Sequence, residues 1–153
     1  MRPNRPHEEE ILLWCGVIAQ LVRTRANRIL QTDEIPYPLF TLLRHFCHDP
    51  DREWTVSSLA TAFETPQPGM TKKVQRLVDL GLLKTRVDAA DARVRWLRVS
   101  RRGILLRDKM VGQITPDQRQ FFEGWKKNEV RELHRLLKRL KTSLDEDRDS
   151  DRR

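Results

Sequence analysis

Between His7 and Leu30, apolar residues recur at Ile11, Trp14 and Cys15, Ile18, Leu21 and Val22, and Ile29, which is the period of a helix. The front half is apolar nearly all round, so it needs cover on more than one side, from its own chain or from a second copy. Glu8, Glu9 and Glu10 at the front and Arg23, Arg25 and Arg28 at the rear suit the helix dipole. "TDEIPYP" breaks the pattern. Pro38 to about Cys47 predicts a second helix with Leu39, Leu42, Leu43 and Phe46 inward. After the loop "HDPDRE", Thr55 reads as the N-cap of a short helix, "VSSLATAF". Strands are expected from about Leu82 to Val87 and from Arg93 to Val99, with "DAADA" between them. Ser100 caps the next helix, "RRGILLRDKMVGQI", and Pro116 starts a last one running to about Leu144. "MRPNRP" at the front and residues 145–153 at the rear read as disordered.

The stretch "TPQPGMTKKVQRLVDLGLL" is an unusual helix start. The first N–H groups of a helix have no internal partner, so Pro66 and Pro68 cost little there. Either Thr65 or Pro66 is the cap. Met70, Val74 and Leu77 share one face and predict the core side, while Gly69, Lys72, Lys73 and Arg76 share the other. A short helix, a tight turn and a longer helix make a helix-turn-helix, and a following hairpin makes it winged. In that motif the N-terminal residues of the second helix meet base edges. Gly69 lets a duplex come close, and a helix N-terminus favours phosphate. A few cations on a surface helix are common, so this face gains its weight from the hairpin beside it. There Asp91 and Arg93 alternate along one strand, which predicts that Asp91 holds the Arg93 guanidinium. An arginine so fixed at a protruding tip suits a minor groove. Arg86, Arg95, Arg98, Arg101 and Arg102 make the surroundings basic.

Composition sharpens this picture. The 153 residues carry 30 Lys plus Arg against 22 Asp plus Glu, a formal charge of +8. That balance points to a polyanionic partner, nucleic acid or an anionic membrane, although a merely soluble basic protein has the same charge. The apolar run Ile11–Ala19 is too short to span a bilayer, is preceded by acids and lacks a cleavage site. The expectation is a cytoplasmic protein with no membrane partner. Cys15 and Cys47 have no zinc-type spacing, and His45, Cys47 and His48 point in different directions on one helix, so no metal is expected. The sequence has no Gly-rich phosphate loop, metal-ligand cluster or nucleophile motif, which argues against an enzyme and for no cofactor.

The segment Trp54–Gly103 resembles the core of the multiple-antibiotic-resistance regulator (MarR) family. The matching positions are Thr55, Leu59-Ala60, Gln67-Pro68, Met70-Thr71, Val74, Leu77, Gly81-Leu82, Asp88, Asp91, Arg93, Val99-Ser100 and Gly103. Pro66, Gly69 and Ala92 depart from the family's usual serine, hydroxyl residue and basic residue. The resemblance implies a mostly α fold with a small β-hairpin, a winged helix-turn-helix plus N- and C-terminal dimerisation helices. It places the DNA-binding domain at 35–103 and a helical dimerisation region at 1–34 and 104–144, with 145–153 as a tail. The DNA-binding residues are then Gln67, Pro68, Gly69, Thr71, Lys72, Lys73, Arg76, Arg86, Asp91, Arg93 and Arg95. The partner is double-stranded DNA at a near-palindromic operator, and the function is transcription regulation, as a ligand-responsive repressor.

The last helix carries a heptad seam at Val130, Leu133, Leu137, Leu140 and Leu144. With Ile11, Trp14 and Ile18 these are the residues expected to form a homodimer. The resemblance also implies a cleft for a small aromatic or anionic effector, for which Trp14, Tyr37, Phe40, Arg44 and His45 are the candidates. Peroxide-sensing relatives carry a cysteine in the first helix, which makes a Cys15 redox sensor an alternative, although Tyr37 is the only tyrosine available to partner it. A winged helix used for protein contact without DNA is the other.

Overall fold

The computed structural model describes residues 7–30 and 35–150, with backbone alone at 148–150. "MRPNRP", residues 31–34 and residues 151–153 lie outside them. Six helices and one hairpin follow in order: α1 (His7–Ile29), α2 (Tyr37–His48), α3 (Val56–Ala62), α4 (Gln67–Asp79), β1 (Leu83–Val87), β2 (Arg95–Val99), α5 (Arg101–Gln120) and α6 (Lys127–Ser150). The chain forms two compact units, one ending at Ile114 and one starting at Thr115.

In the first unit a single core gathers Ala26 and Leu30 at the end of α1, Leu39, Phe40, Leu42, Leu43, Phe46 and Cys47 of α2, Leu59 of α3, Met70, Val74 and Leu77 of α4, and Ile35 and Leu82 of the connections. Leu83, Leu97 and Val99 of the hairpin and Leu106, Met110 and Ile114 of α5 complete it. The predicted inward faces of α2 and α4 are the buried ones. Pro36 and Pro38 open α2, where Asn27 Oδ1 accepts the Tyr37 N–H at 3.3 Å and ties the helix to α1. Thr55 caps α3 through a reciprocal pair: the Ser58 N–H donates to Thr55 Oγ1 at 3.1 Å, and the Thr55 N–H donates to Ser58 Oγ at 3.0 Å.

Helix α4 ends in a Schellman motif. The Leu82 N–H reaches the Leu77 carbonyl at 2.9 Å and the Gly81 N–H the Val78 carbonyl at 2.8 Å, with Gly81 at φ 69°. Ser100 is buried at the start of α5, where its Oγ accepts the Gly103 N–H at 3.0 Å and donates to the Gly81 carbonyl at 2.7 Å. That hydroxyl caps one helix and holds the end of another.

Four features differ from the sequence-based expectation. The strands are shorter than predicted, so Arg93 belongs to the loop between them. Trp54 adds an unpredicted antiparallel bridge to β2, exchanging both backbone bonds with Leu97 at 2.9 and 2.7 Å. Pro116 lies inside α5, and the helix breaks at 121–126 instead. A helical proline forfeits one backbone bond and crowds the carbonyl four residues back. Gly124, at φ 82°, adopts a conformation that other residues resist, and the chain turns there. Finally, α6 continues past Leu144 to Ser150, supported by the Lys141–Asp145 ion pair one turn apart.

His45 of α2 packs between the rings of Trp54 at 4.5 Å and Phe63 at 4.9 Å, and its Nε2 is buried with no hydrogen-bond partner among the described residues. Burial first, then the charges of Arg52 and His48, lower its pKa. Below about pH 6.5 the unfolded chain therefore binds a proton that folded His45 resists. Its contribution to stability is complete above that value and is lost as pH falls toward the lowered one. His45→Phe is expected to flatten the pH dependence of thermal melting below pH ~6.5 relative to wild type. Parallel profiles for the two proteins would show that His45 contributes nothing to it.

Candidate nucleic-acid interface

Burial of Met70, Val74 and Leu77 turns the opposite side of α4 to solvent. Gln67, Pro68, Thr71, Lys72 and Arg76 are exposed there, with Gly69 and Lys73 half-exposed. A Cβ at Gly69 would meet only Thr65 Cγ2, at 3.6 Å, so the glycine is not required by packing within the chain. The helix start differs from a bare row of amides. Pro66 is the cap, and its carbonyl accepts the N–H groups of Gly69 at 3.0 Å and Met70 at 3.1 Å. Pro68 has no N–H. This end therefore presents side chains and the open space over Gly69 more than free amides.

The wing loop is built differently from the expected Asp91–Arg93 ion pair. Asp91 Oδ1 accepts the backbone N–H of Arg93 at 2.9 Å, and its own carbonyl accepts that of Val94 at 2.9 Å. Because Arg93 is in the loop, its side chain does not share a strand face with Asp91. Asp88, which sequence reasoning did not single out as a site residue, organises the loop. Its Oδ1 accepts the N–H groups of Ala90 at 2.8 Å and Asp91 at 3.1 Å, and its Oδ2 accepts the Trp96 indole N–H at 2.7 Å. The indole first, then the two amides, hold the Asp88 carboxyl below the usual carboxylate range. The D-x-x-D spacing of the turn-favouring acids Asp88 and Asp91 in "DAADA" is the signal that could have pointed to it.

The basic residues fall into two sets. Arg86 makes a two-pronged ion pair with Glu53, at 3.1 and 2.7 Å, and Arg98 pairs with Asp51 and donates to the Pro50 carbonyl. The 50–53 loop thus engages both strands of the hairpin. Among the described residues, no acid pairs with Lys72, Lys73, Arg76, Arg93 or Arg95. Their charge is available to an outside anion.

The effector candidates do not form one group. Phe40 is fully buried in the core, touched by the Tyr37 ring at 6.0 Å and by the Arg44 guanidinium at 5.7 Å. His45 faces Trp54 and Phe63, and Trp14 is exposed on α1. Cys15 is half-exposed, whereas Cys47 is buried and its thiol is pushed up by that burial. Ile11, Trp14 and Ile18 of α1 are exposed. In the second unit Leu137 and Leu144 are exposed and Val130, Leu133 and Leu140 half-exposed. No described helix is long and apolar enough to cross a membrane.

No protein-family model and no curated protein matches the sequence. Solved structures match throughout. A MarR family protein from Bacillus stearothermophilus is 20% identical with a TM-score of 0.76, over 91% of this chain and 96% of that one. A MarR protein from Peptoclostridium difficile is 16% identical with a TM-score of 0.79, over 97% and 94%. A mutant of S. aureus MepR bound to an oligodeoxyribonucleotide is 17% identical with a TM-score of 0.59, over 88% and 97%. A helix-turn-helix, a wing held by Asp88, further helices before and after them in the chain and these likenesses agree: the chain has the winged-helix fold of the MarR-family transcriptional regulators.

Proposed function

We propose that the chain is a homodimeric, sequence-specific regulator of transcription that binds double-stranded DNA and acts in the cytoplasm as a ligand-responsive repressor, by binding and not by catalysis. The observation that carries this reading is the split among the cations. Lys72, Lys73, Arg76, Arg93 and Arg95 lack an acidic partner among the described residues, on the outer face of α4 and at the wing, while neighbouring Arg86 and Arg98 are neutralised. A helix face and a wing so charged suit a major groove and a flanking minor groove. The oligonucleotide-bound MepR relative shares the fold. The dimer rests on the exposed apolar residues of α1 and the seam of α6, which a second copy would cover.

The test is binding of Lys72→Ala, Arg76→Ala and Arg93→Ala to a duplex selected from a random pool and to a scrambled one, across a salt series. A base-reading residue should cost about 1–3 kcal/mol on the selected duplex and relax choice at one base pair. A phosphate contact should weaken both duplexes alike and lower the salt slope by about one unit. Arg93→Ala should lose most where the flank is A·T-rich. Wild-type behaviour of all three variants on both duplexes would instead favour a protein-contact role for this face.

A further inference from the structure

The Trp96 indole is used in a way that the wing turn itself does not require. An Asx turn at Asp88 needs one carboxylate oxygen, and Oδ1 already accepts two loop amides, from Ala90 and Asp91. Oδ2 is committed to a side chain on the neighbouring strand. The register explains how they meet. Trp96 pairs with Arg86 across the hairpin, so the two share a face, and Asp88, two residues beyond Arg86, lies diagonal to Trp96 on that same face. The bonds form a continuous chain: Trp96 indole to Asp88, Asp88 to the amide of Asp91, Asp91 to the amide of Arg93. At its end the Arg93 guanidinium has no acidic partner among the described residues.

We propose that Asp88 and Trp96 form a latch that fixes the wing loop to β2 and so sets where Arg93 meets DNA, making both of them positioning residues for wing recognition. The inference rests on the DNA-binding reading above. It assigns the wing's aim to a bond between a carboxylate and an indole, with Asp91 acting on the backbone alone. Phenylalanine at 96 keeps an aromatic ring on the face and removes only the donor. Asparagine at 88 keeps the side chain's shape but replaces one acceptor oxygen with an amide that cannot accept the indole proton.

The experiment measures binding of the full chain to the selected duplex for Trp96→Phe, Asp88→Asn, Arg93→Ala and the two doubles with Arg93→Ala, alongside thermal melting and the indole N–H resonance of Trp96. Trp96→Phe and Asp88→Asn should each weaken binding about fivefold or more, as members of one hydrogen-bond network do. Added to Arg93→Ala, neither should cost more than a further factor of about two. Asp88→Asn should shift the Trp96 indole resonance while melting stays close to wild type. Single variants that bind like wild type, or losses that simply add to that of Arg93→Ala, would overturn the latch. If Arg93→Ala, Lys72→Ala and Arg76→Ala all bind like wild type, the DNA-binding reading has failed, which is a different result.

Discussion

Gly103→Ala is expected to lower the melting temperature sharply, and Gly103→Val to leave little folded protein. A Cβ at this position would lie 2.4 Å from the Leu82 carbonyl oxygen, 2.9 Å from Val99 Cγ2 and 3.2 Å from Leu43 Cδ1. The side chains could shift by a few tenths of an ångström. The carbonyl is less free, because it accepts the Ser100 N–H at 3.0 Å and belongs to the residue that closes the Schellman motif of α4. Relief would have to move α5 away from the turn that Ser100 holds, and α5 supplies Leu106, Met110 and Ile114 to the core. Overpacking costs about 1–3 kcal/mol and sometimes more, out of a total stability of about 5–15 kcal/mol. For a chain of this size each kcal/mol is about 2–4 °C, so the alanine variant should melt about 2–12 °C lower. Gly112→Ala is the control, since nothing lies within 4 Å of its Cβ. It should melt at or above the wild-type temperature, because glycine inside a helix is unfavourable relative to alanine. Equal melting for Gly103→Ala and wild type would mean that the α4–α5 junction is looser than described.

The second large effect concerns assembly. Leu133→Asp combined with Leu140→Asp should convert the proposed dimer to monomers and weaken binding to a full operator by about a hundredfold or more. Both residues are already half-exposed in the single chain, so the charges disturb little within it. In a helix-helix seam they would be buried without partners, which such an interface does not tolerate. Two half-sites about one helical turn apart, roughly 34 Å, need both recognition helices on one rigid body. A monomer retains only the affinity of one half-site. The measurement pairs sedimentation with operator binding. A double variant that remains a dimer would move the interface away from α6, and a monomer that binds the full operator normally would separate assembly from recognition.

What the sequence made legible is what is local or periodic. The apolar spacing of α2 and α4 located their buried faces, and the side chains of Thr55 and Ser100 made the predicted caps. These features depend on residues within one turn of each other. The misreadings involve partners far along the chain, the exact end of a strand or helix, or a single backbone angle. Nothing local in "HDPDRE" shows that Asp51 and Glu53 will neutralise Arg98 and Arg86, or that Trp54 will bridge to Leu97. Asp91 and Arg93 looked like neighbours on a strand, but the strand begins at Arg95, and two residues of loop replaced a side-chain pair with a backbone one. Pro116 looked like a helix start, yet Gly124 marks the break.

Whether Lys72, Lys73, Arg76, Arg93 and Arg95, which lack an acidic partner among the described residues, read DNA is decided by selecting bound duplexes from a random pool with the wild-type protein and titrating the winner with salt. The expected result is enrichment of a near-palindrome whose half-sites lie about one turn apart, bound by one dimer. Its affinity should fall steeply with salt, at close to 0.9 units of slope per phosphate contact. A pool that shows no enrichment, or binding that salt leaves unchanged, would contradict it.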